Sequence, residues 1–257
     1  MLRSFLGVAG VSGLLLLAPL STAGAADMPV KAPPPPPPAP TWTGCYLSAG
    51  FGYGLLDDER TTNDPFDFPS STSAAKGWLG AFGGGCDYQF GSGGPWGPIV
   101  IGAFADWDPM DITGNFGDPF NDFHHGTQTL SDAFYVGGRA GVLVTPTLLA
   151  YIDGGWTGAH IDAIHIVTPT GGPTFGNMLA AANPSGGFIG GGYEYALPWL
   201  FHGLFWKTEY RLAFYDNYTQ NYIHANGLPG GAAVTHSIDV QTITSSLVWR
   251  FNWLGGH

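Results

Sequence analysis

Residues Val240–Trp253 read V-Q-T-I-T-S-S-L-V-W-R-F-N-W. One parity carries Ile243, Leu247, Trp249, Phe251 and Trp253; the other carries Thr242, Thr244, Ser246, Arg250 and Asn252. Alternation with period two marks a β-strand with one apolar and one polar face. A length of roughly ten residues or more, with aromatics gathered at one end, suits a strand that crosses a bilayer. Val248 on the polar parity is an exception, and the tail Leu254–His257 extends past the aromatic end. Whether the apolar face meets lipid or a packed core is decided by the rest of the chain.

The start of the chain reads as a targeting signal. Arg3 gives a positive n-region, Phe5–Ala18 an apolar core, and Ala23-Gly24-Ala25 a small-x-small cleavage site, so residues 1–25 are expected to be a signal peptide. The pattern also permits a cut after Ala26. Residues 26–41 form a leader holding Pro33–Pro38, which favours an extended polyproline II spacer. At about 3.1 Å per residue such a spacer reaches about 25 Å. Residues 42–257 fit one domain. Charged residues are scarce at 11%, and Asp plus Glu (19) outnumber Lys plus Arg (8), which argues against a nucleic-acid partner. After the signal no apolar run is long enough for a spanning helix, so a membrane would have to be crossed by strands.

Eight strand-like segments follow: 44–54, 77–90, 99–108, 133–144, 148–156, 187–196, 205–215 and 240–253. The gaps after the second, fourth and sixth are short; those after the first, third, fifth and seventh run to about twenty residues or more and are rich in Gly, Asn, Asp, Thr and Pro. Short turns on one side and long loops on the other are the habit of outer-membrane barrels. In the first segment Leu47, Ala49, Phe51 and Tyr53 oppose Ser48, Gly50, Gly52 and Gly54. In the second Trp78, Phe82, Tyr88 and Phe90 oppose Gly83, Gly85, Asp87 and Gln89. In the seventh Lys207, Glu209 and Arg211 oppose Thr208, Tyr210, Leu212 and Phe214. A glycine-rich parity packs poorly against water but suits a crowded lumen, and the apolar parity has aromatics near the segment ends. The expected fold is therefore all-β: an eight-stranded antiparallel transmembrane up-and-down barrel, with a lipocalin-like soluble barrel as the alternative.

Several short motifs point the same way. Trp42-Thr43-Gly44-Cys45-Tyr46, Asp87-Tyr88-Gln89-Phe90, Gly138-Arg139-Ala140-Gly141, Tyr193-Glu194-Tyr195-Ala196-Leu197, Lys207-Thr208-Glu209-Tyr210 and Trp249-Arg250-Phe251-Asn252-Trp253 span the mature domain. In combination they resemble the small OmpA-like outer-membrane barrels known as porin family proteins, notably the RopB-type members of alphaproteobacteria. Phe104 departs from the pattern, because relatives usually place an inward glutamate there. The resemblance implies a cell outer membrane location, contacts with outer-membrane lipid and lipopolysaccharide, and recognition of the aromatic end by the assembly machinery. In relatives an Ala-Asp start is joined through its amine to peptidoglycan, which implies Ala26 as an attachment point here.

By parity the lumen collects Asp87, Asp106, Asp153, Glu194 and Glu209 against Arg139, Lys207, Arg211 and Arg250. Charges withdrawn from water must be paired, and eight strands leave room for little beyond side chains, so a plugged lumen is expected. Glu194 and Lys207 are expected to face each other across the inner wall. Cys45 and Cys86 fall on the apolar parity near one end of adjacent strands; a cross-strand disulfide and two free thiols facing lipid both fit. Asp57, Asp58, Glu59, Asp64 and Asp67, then Asp111, Asp118, Asp122, His124 and His125, then His160, Asp162 and His165 are expected in solvated loops. His236-Ser237 would alternate faces and could not aim at one substrate. No catalytic residue, metal or cofactor is expected. The role read from the sequence is structural, in envelope integrity and surface properties; a narrow small-solute channel or surface adhesin is second, a lipid-modifying barrel enzyme third.

Overall fold

The alternation runs further along the chain than the eight segments suggest. In the computed structural model the described residues are 40–62, 70–91, 97–118, 121–167, 173–224 and 226–251. The signal peptide, the leader up to residue 39, Ala26, Asp64, Asp67, the tail from Asn252 and the side chains of Asp118, Asp122 and His124 lie outside them. The strands are β1 (Gly44–Thr62), β2 (Ser70–Phe90), β3 (Ile99–Asp118), β4 (Asn121–Thr145), β5 (Leu148–Ile161), β6 (Ile164–Val167), β7 (Pro173–Leu179), β8 (Ser185–Ala196), β9 (Leu204–Tyr215), β10 (Tyr218–Ile223) and β11 (Pro229–Phe251). Neighbours pair antiparallel in the order β1-β2-β3-β4-β5-β8-β9-β11, and β1 pairs with β11 from Cys45↔Phe251 to Thr62↔Val234. That last pairing closes an eight-stranded up-and-down barrel and removes its edges.

The remaining short strands are continuations. β6 extends β5 after Asp162-Ala163 and pairs with β4; β10 extends β9 after Asp216-Asn217 and pairs with β11; β7 leads into β8 through residues 180–184 and lies between β6 and β10. Above the first ring the order is thus β1-β2-β3-β4-β6-β7-β10-β11, again eight strands. Three of the eight long strands are broken once each. The sequence reading placed loops here; the structure replaces much of them with strand, forming an external collar on the barrel.

The loop reading failed because the two faces exchange character partway along each strand. On β1 the outward residues are Leu47, Phe51 and Leu55, then Asp57 and Glu59; the buried inward ones are Gly52 and Gly54, then Leu56, Asp58 and Arg60. On β11, read toward the collar, Trp249, Leu247 and Ile243 face out, followed by Asp239 and Ser237, while Ser246, Thr244 and Thr242 face in, followed by Val240 and Ile238. Leu47 to Leu55 covers roughly 20 Å of height at the usual rise and tilt, close to the apolar band of an outer-membrane barrel. The belt includes Phe51 (65% exposed), Ile152 (69%) and Trp78 (66%) beside Trp107, Phe134, Trp156 and Phe214. So large a continuous apolar surface belongs in lipid. The β5–β6 and β9–β10 breaks come after the last outward aromatic of their strands, Trp156 and Phe214, and the β7–β8 break comes before the first, Tyr193. Ladders must be complete in lipid and need not be where water can satisfy the backbone.

Candidate functional site

The chemistry sits inside the barrel. Asp87 on β2, Arg139 on β4, Glu194 on β8 and Arg250 on β11 form a closed ring of alternating charge across the lumen. Arg139 donates from Nε to Asp87 at 2.9 Å and from a terminal nitrogen to Glu194 at 3.3 Å. Its other terminal nitrogen also bonds Asp87. Arg250 donates from Nε to Glu194 at 2.7 Å and from a terminal nitrogen to Asp87 at 2.6 Å. Planar guanidinium forks suit this double engagement. Arg139 lies over the rings of Tyr46 and Tyr151, and Arg250 over Trp42, Tyr46 and Phe205. Below the ring Trp42 is fully buried against Phe205 (centroids 4.8 Å apart) and donates its indole N–H to the Pro146 carbonyl at 3.2 Å. The mouth on the short-turn side is corked by the chain's own Trp42.

Glycine makes the cross-lumen reach possible. The register places Asp87, Gly102 and Arg139 in one row across β2, β3 and β4, and Asp153, Gly190 and Arg211 in one row across β5, β8 and β9. In the first row Arg139 passes over Gly102 and bonds Asp87; in the second Arg211 Nε stands 3.8 Å from Asp153 across Gly190 without a hydrogen bond. A Cβ at Gly102 would land on the Asp87 carboxylate, and one at Gly190 on that of Asp153.

A second cluster lies further up the lumen. Arg211 pairs with Asp106 and Glu209, and its Nε stands 3.8 Å from Asp153. Phe104, Tyr135 and Phe188 surround its guanidinium. Phe104 is thus an aromatic face for an arginine. Lys207 lies 3.4 Å from Glu209, which also accepts from the Tyr151 hydroxyl at 2.6 Å. Glu194 and Lys207 are register partners as expected, yet they form no ion pair. The two arginines occupy both Glu194 oxygens, and Lys207 turns to Glu209. Asp108, which sequence reasoning missed, is buried here too, and neither of its carboxylate oxygens meets a donor among the described residues. It lies at the edge of the expected third segment, on the parity of Asp106, and that parity was the available signal.

The collar has its own polar cluster. Asp58, expected in a loop, is buried inside because β1 continues inward-outward past Leu55; its carboxylate lies 3.0 Å from His236 Nδ1 and 3.7 Å from Arg60 Nε. His236 stacks on Tyr218 with ring centroids 4.9 Å apart, and Arg60 lies over Phe116 at 4.3 Å. Burial first, and the Asp58 carboxylate second, push the Tyr218 phenol up from its ordinary value. Ser237, next to His236, faces outward. Asp57, Glu59, Asp111, Asp162 and His165 are exposed, but on strands or their breaks rather than in long loops; His125 and His160 are half-buried. Ser131 bonds to Asp162 at 3.2 Å, while His160 Nδ1 lies 2.6 Å from Asn183. Among the described residues no group of three or more His, Cys, Asp or Glu side chains is placed to hold a metal ion.

Cys45 and Cys86 are direct register partners on the outer face and form a disulfide, with Cα atoms 3.9 Å apart.

No protein-family model matches the chain, and no curated protein matches it. Solved structures do. The outer membrane protein OprG of Pseudomonas aeruginosa is similar over 83% of this chain and 99% of its own, at 9% identity and a TM-score of 0.46. Ail, the attachment invasion locus protein of Yersinia pestis, is similar over 81% of this chain and 99% of its own, at 10% identity and a TM-score of 0.37. The outer membrane protease OmpT of Escherichia coli is similar over 82% of this chain and 98% of its own, at 10% identity and a TM-score of 0.36. At these values none of them transfers a property to this chain.

Proposed function

We propose that the chain is a structural protein of the bacterial outer membrane, of the RopB-type kind its motifs resemble, with a lumen closed to solutes. The observation that carries this reading is the Asp87–Arg139–Glu194–Arg250 ring, which ties β2, β4, β8 and β11 together across the barrel axis. A path for ions would have to break at least one buried, doubly bonded guanidinium, and Trp42 lies beneath. The barrel then serves as a rigid pillar that holds lipid and lipopolysaccharide around its apolar belt and raises the collar beyond them. The outer-membrane assembly machinery inserts it, and a peptidoglycan tether at Ala26 belongs to the same reading. Among the described residues Lys76 is the one cation on the outside, so lipopolysaccharide contacts rest on the belt more than on basic side chains.

The protein is not an enzyme in this reading. The buried His236 stands beside an acid but its neighbour Ser237 faces away, and Ser131 bonds the acid Asp162 rather than an imidazole. Neither grouping supplies a nucleophile, base and orienting acid in line. Planar-bilayer recording tests the conclusion. The expected outcome is no stable unitary conductance from the folded protein; repeatable steps would replace the pillar with a channel.

A further inference from the structure

The turn joining β8 to β9 is unlike an ordinary surface turn. It reads Leu197-Pro198-Trp199-Leu200-Phe201-His202-Gly203 and displays Trp199 (77% exposed), Leu200 (49%) and Phe201 (70%) in succession. The display is ordered. Leu200 and Phe201 donate their amides to the Leu197 carbonyl, Leu197 to Leu204, and Leu204 to Phe201. Gly203 takes a positive φ of 79° to close the turn, where a Cβ would meet the Arg250 carbonyl. The chain thus holds three large apolar side chains outward on a fixed hydrogen-bonded frame, with no Asp, Glu, Lys or Arg from Leu197 to Phe201.

The surface beside them is the short-turn end of the apolar belt. Tyr195, Trp206 and Trp249 are outward and exposed on β8, β9 and β11, the strands that carry or flank this turn. The turn extends that girdle without a polar gap. The other fully described turn on the same side of the barrel, between β4 and β5, is Thr145-Pro146-Thr147 and displays hydroxyls.

We propose that Trp199, Leu200 and Phe201 form a lipid-inserted wedge, docked in the phospholipid leaflet on the short-turn side and anchoring one flank of the barrel. Tryptophan and phenylalanine at the headgroup level gain from burying an apolar body while the ring edge stays near water. The β8–β9 flank is drawn into the leaflet, the β4–β5 flank stays in water, and the barrel axis leans accordingly. The inference rests on the membrane reading above, and the test separates the two.

Nitroxide labels are placed on Trp199→Cys, Phe201→Cys, Thr145→Cys and Ile152→Cys, each alone, in the full mature chain under non-reducing conditions that keep Cys45–Cys86 closed. The proteins are reconstituted in phosphatidylcholine–phosphatidylethanolamine vesicles, and each label's collision rates with oxygen and with an aqueous nickel chelate are compared. The expected result is an oxygen-to-nickel ratio at 199 and 201 at least about threefold that at 145, approaching the ratio at 152 in the belt. Ratios at 199 and 201 as low as at 145, with 152 still lipid-like, overturn the wedge and leave the barrel reading standing. A water-like ratio at 152 overturns both.

Discussion

The lipid-embedded ring and the external collar are built from the same eight strands and solve opposite problems. Within the belt the wall is apolar outside and the lumen is charged; the strands there run unbroken, with one gap in the β2–β3 ladder where Gly80 and Ala81 face Asp108 and Pro109. In the collar the outer face carries Asp57, Glu59, Ser237 and Asp239, while Phe116, Ile164, Ile166, Leu179, Tyr222 and Val234 pack within. Three strands there are interrupted. Inside the collar apolar side chains pack around the Asp58–His236 pair; inside the ring buried ion pairs are set among Tyr46, Phe104, Tyr151 and Phe205. One covalent chain crosses between these regimes at a definable place, Leu55 to Asp57 on β1 and Gln241 to Asp239 on β11. Solvent, rather than topology, decides what each face must carry.

The contrast is broken most severely at the charged ring. Arg139→Ala strands Asp87 and Glu194 with one guanidinium between them, and should cost about 3–5 kcal/mol in urea unfolding of the reconstituted barrel. An unchanged midpoint would mean that the ring is ornamental. The next test contrasts two sites on one outer face of β1. Phe51→Arg, in the belt, should lose about 2–4 kcal/mol, whereas Glu59→Arg, in the collar, should lose little. Equal losses would erase the boundary between the regimes. In the collar His236→Ala removes the partner of Asp58 and the stacking face of Tyr218, at a cost of about 1–3 kcal/mol that stays local. Hydrogen exchange should quicken in β10 and the facing part of β11 and leave β9 untouched. The smallest change has the opposite sign. Asp57 and Asp239 are directly opposed across the closing seam, and Asp57→Asn should stabilise by about 0.2–1 kcal/mol, less in high salt. A destabilised variant would show that the two carboxylates share a proton or a cation.

How much of this was legible in the sequence follows the same boundary. The ring was, because aromatic and aliphatic residues alternate there with Gly, Ser and charge; the parities of 44–54, 77–90 and 205–215 give the inward residues directly. The collar was not. Its strands begin with runs such as Asp57-Asp58-Glu59-Arg60, in which both faces are polar, and composition of that kind reads as loop. The swap was nonetheless visible at Leu55-Leu56, where two adjacent apolar residues interrupt the alternation. For the lumen, parity identifies the charged residues but not their bonds. Wall neighbours such as Glu194 and Lys207 invite pairing, yet Arg139 reaches over Gly102 to Asp87, Arg211 crosses the lumen to Asp106, and Lys207 turns to Glu209 on its own strand. Writing the strands in register exposes the acid–glycine–arginine rows, and that step, rather than any single motif, carries the missing information.

The Cys45–Cys86 bond has a consequence for how the barrel comes together. It lies in the first hairpin of the barrel, and it joins residues that are partners in the β1–β2 ladder. A slip of one residue between two strands would turn every lumen group of one of them toward lipid. A closed bond forbids that slip between β1 and β2. β1 is also the strand that β11 must find last, so the clamp presents the incoming end with a template whose phase is already set.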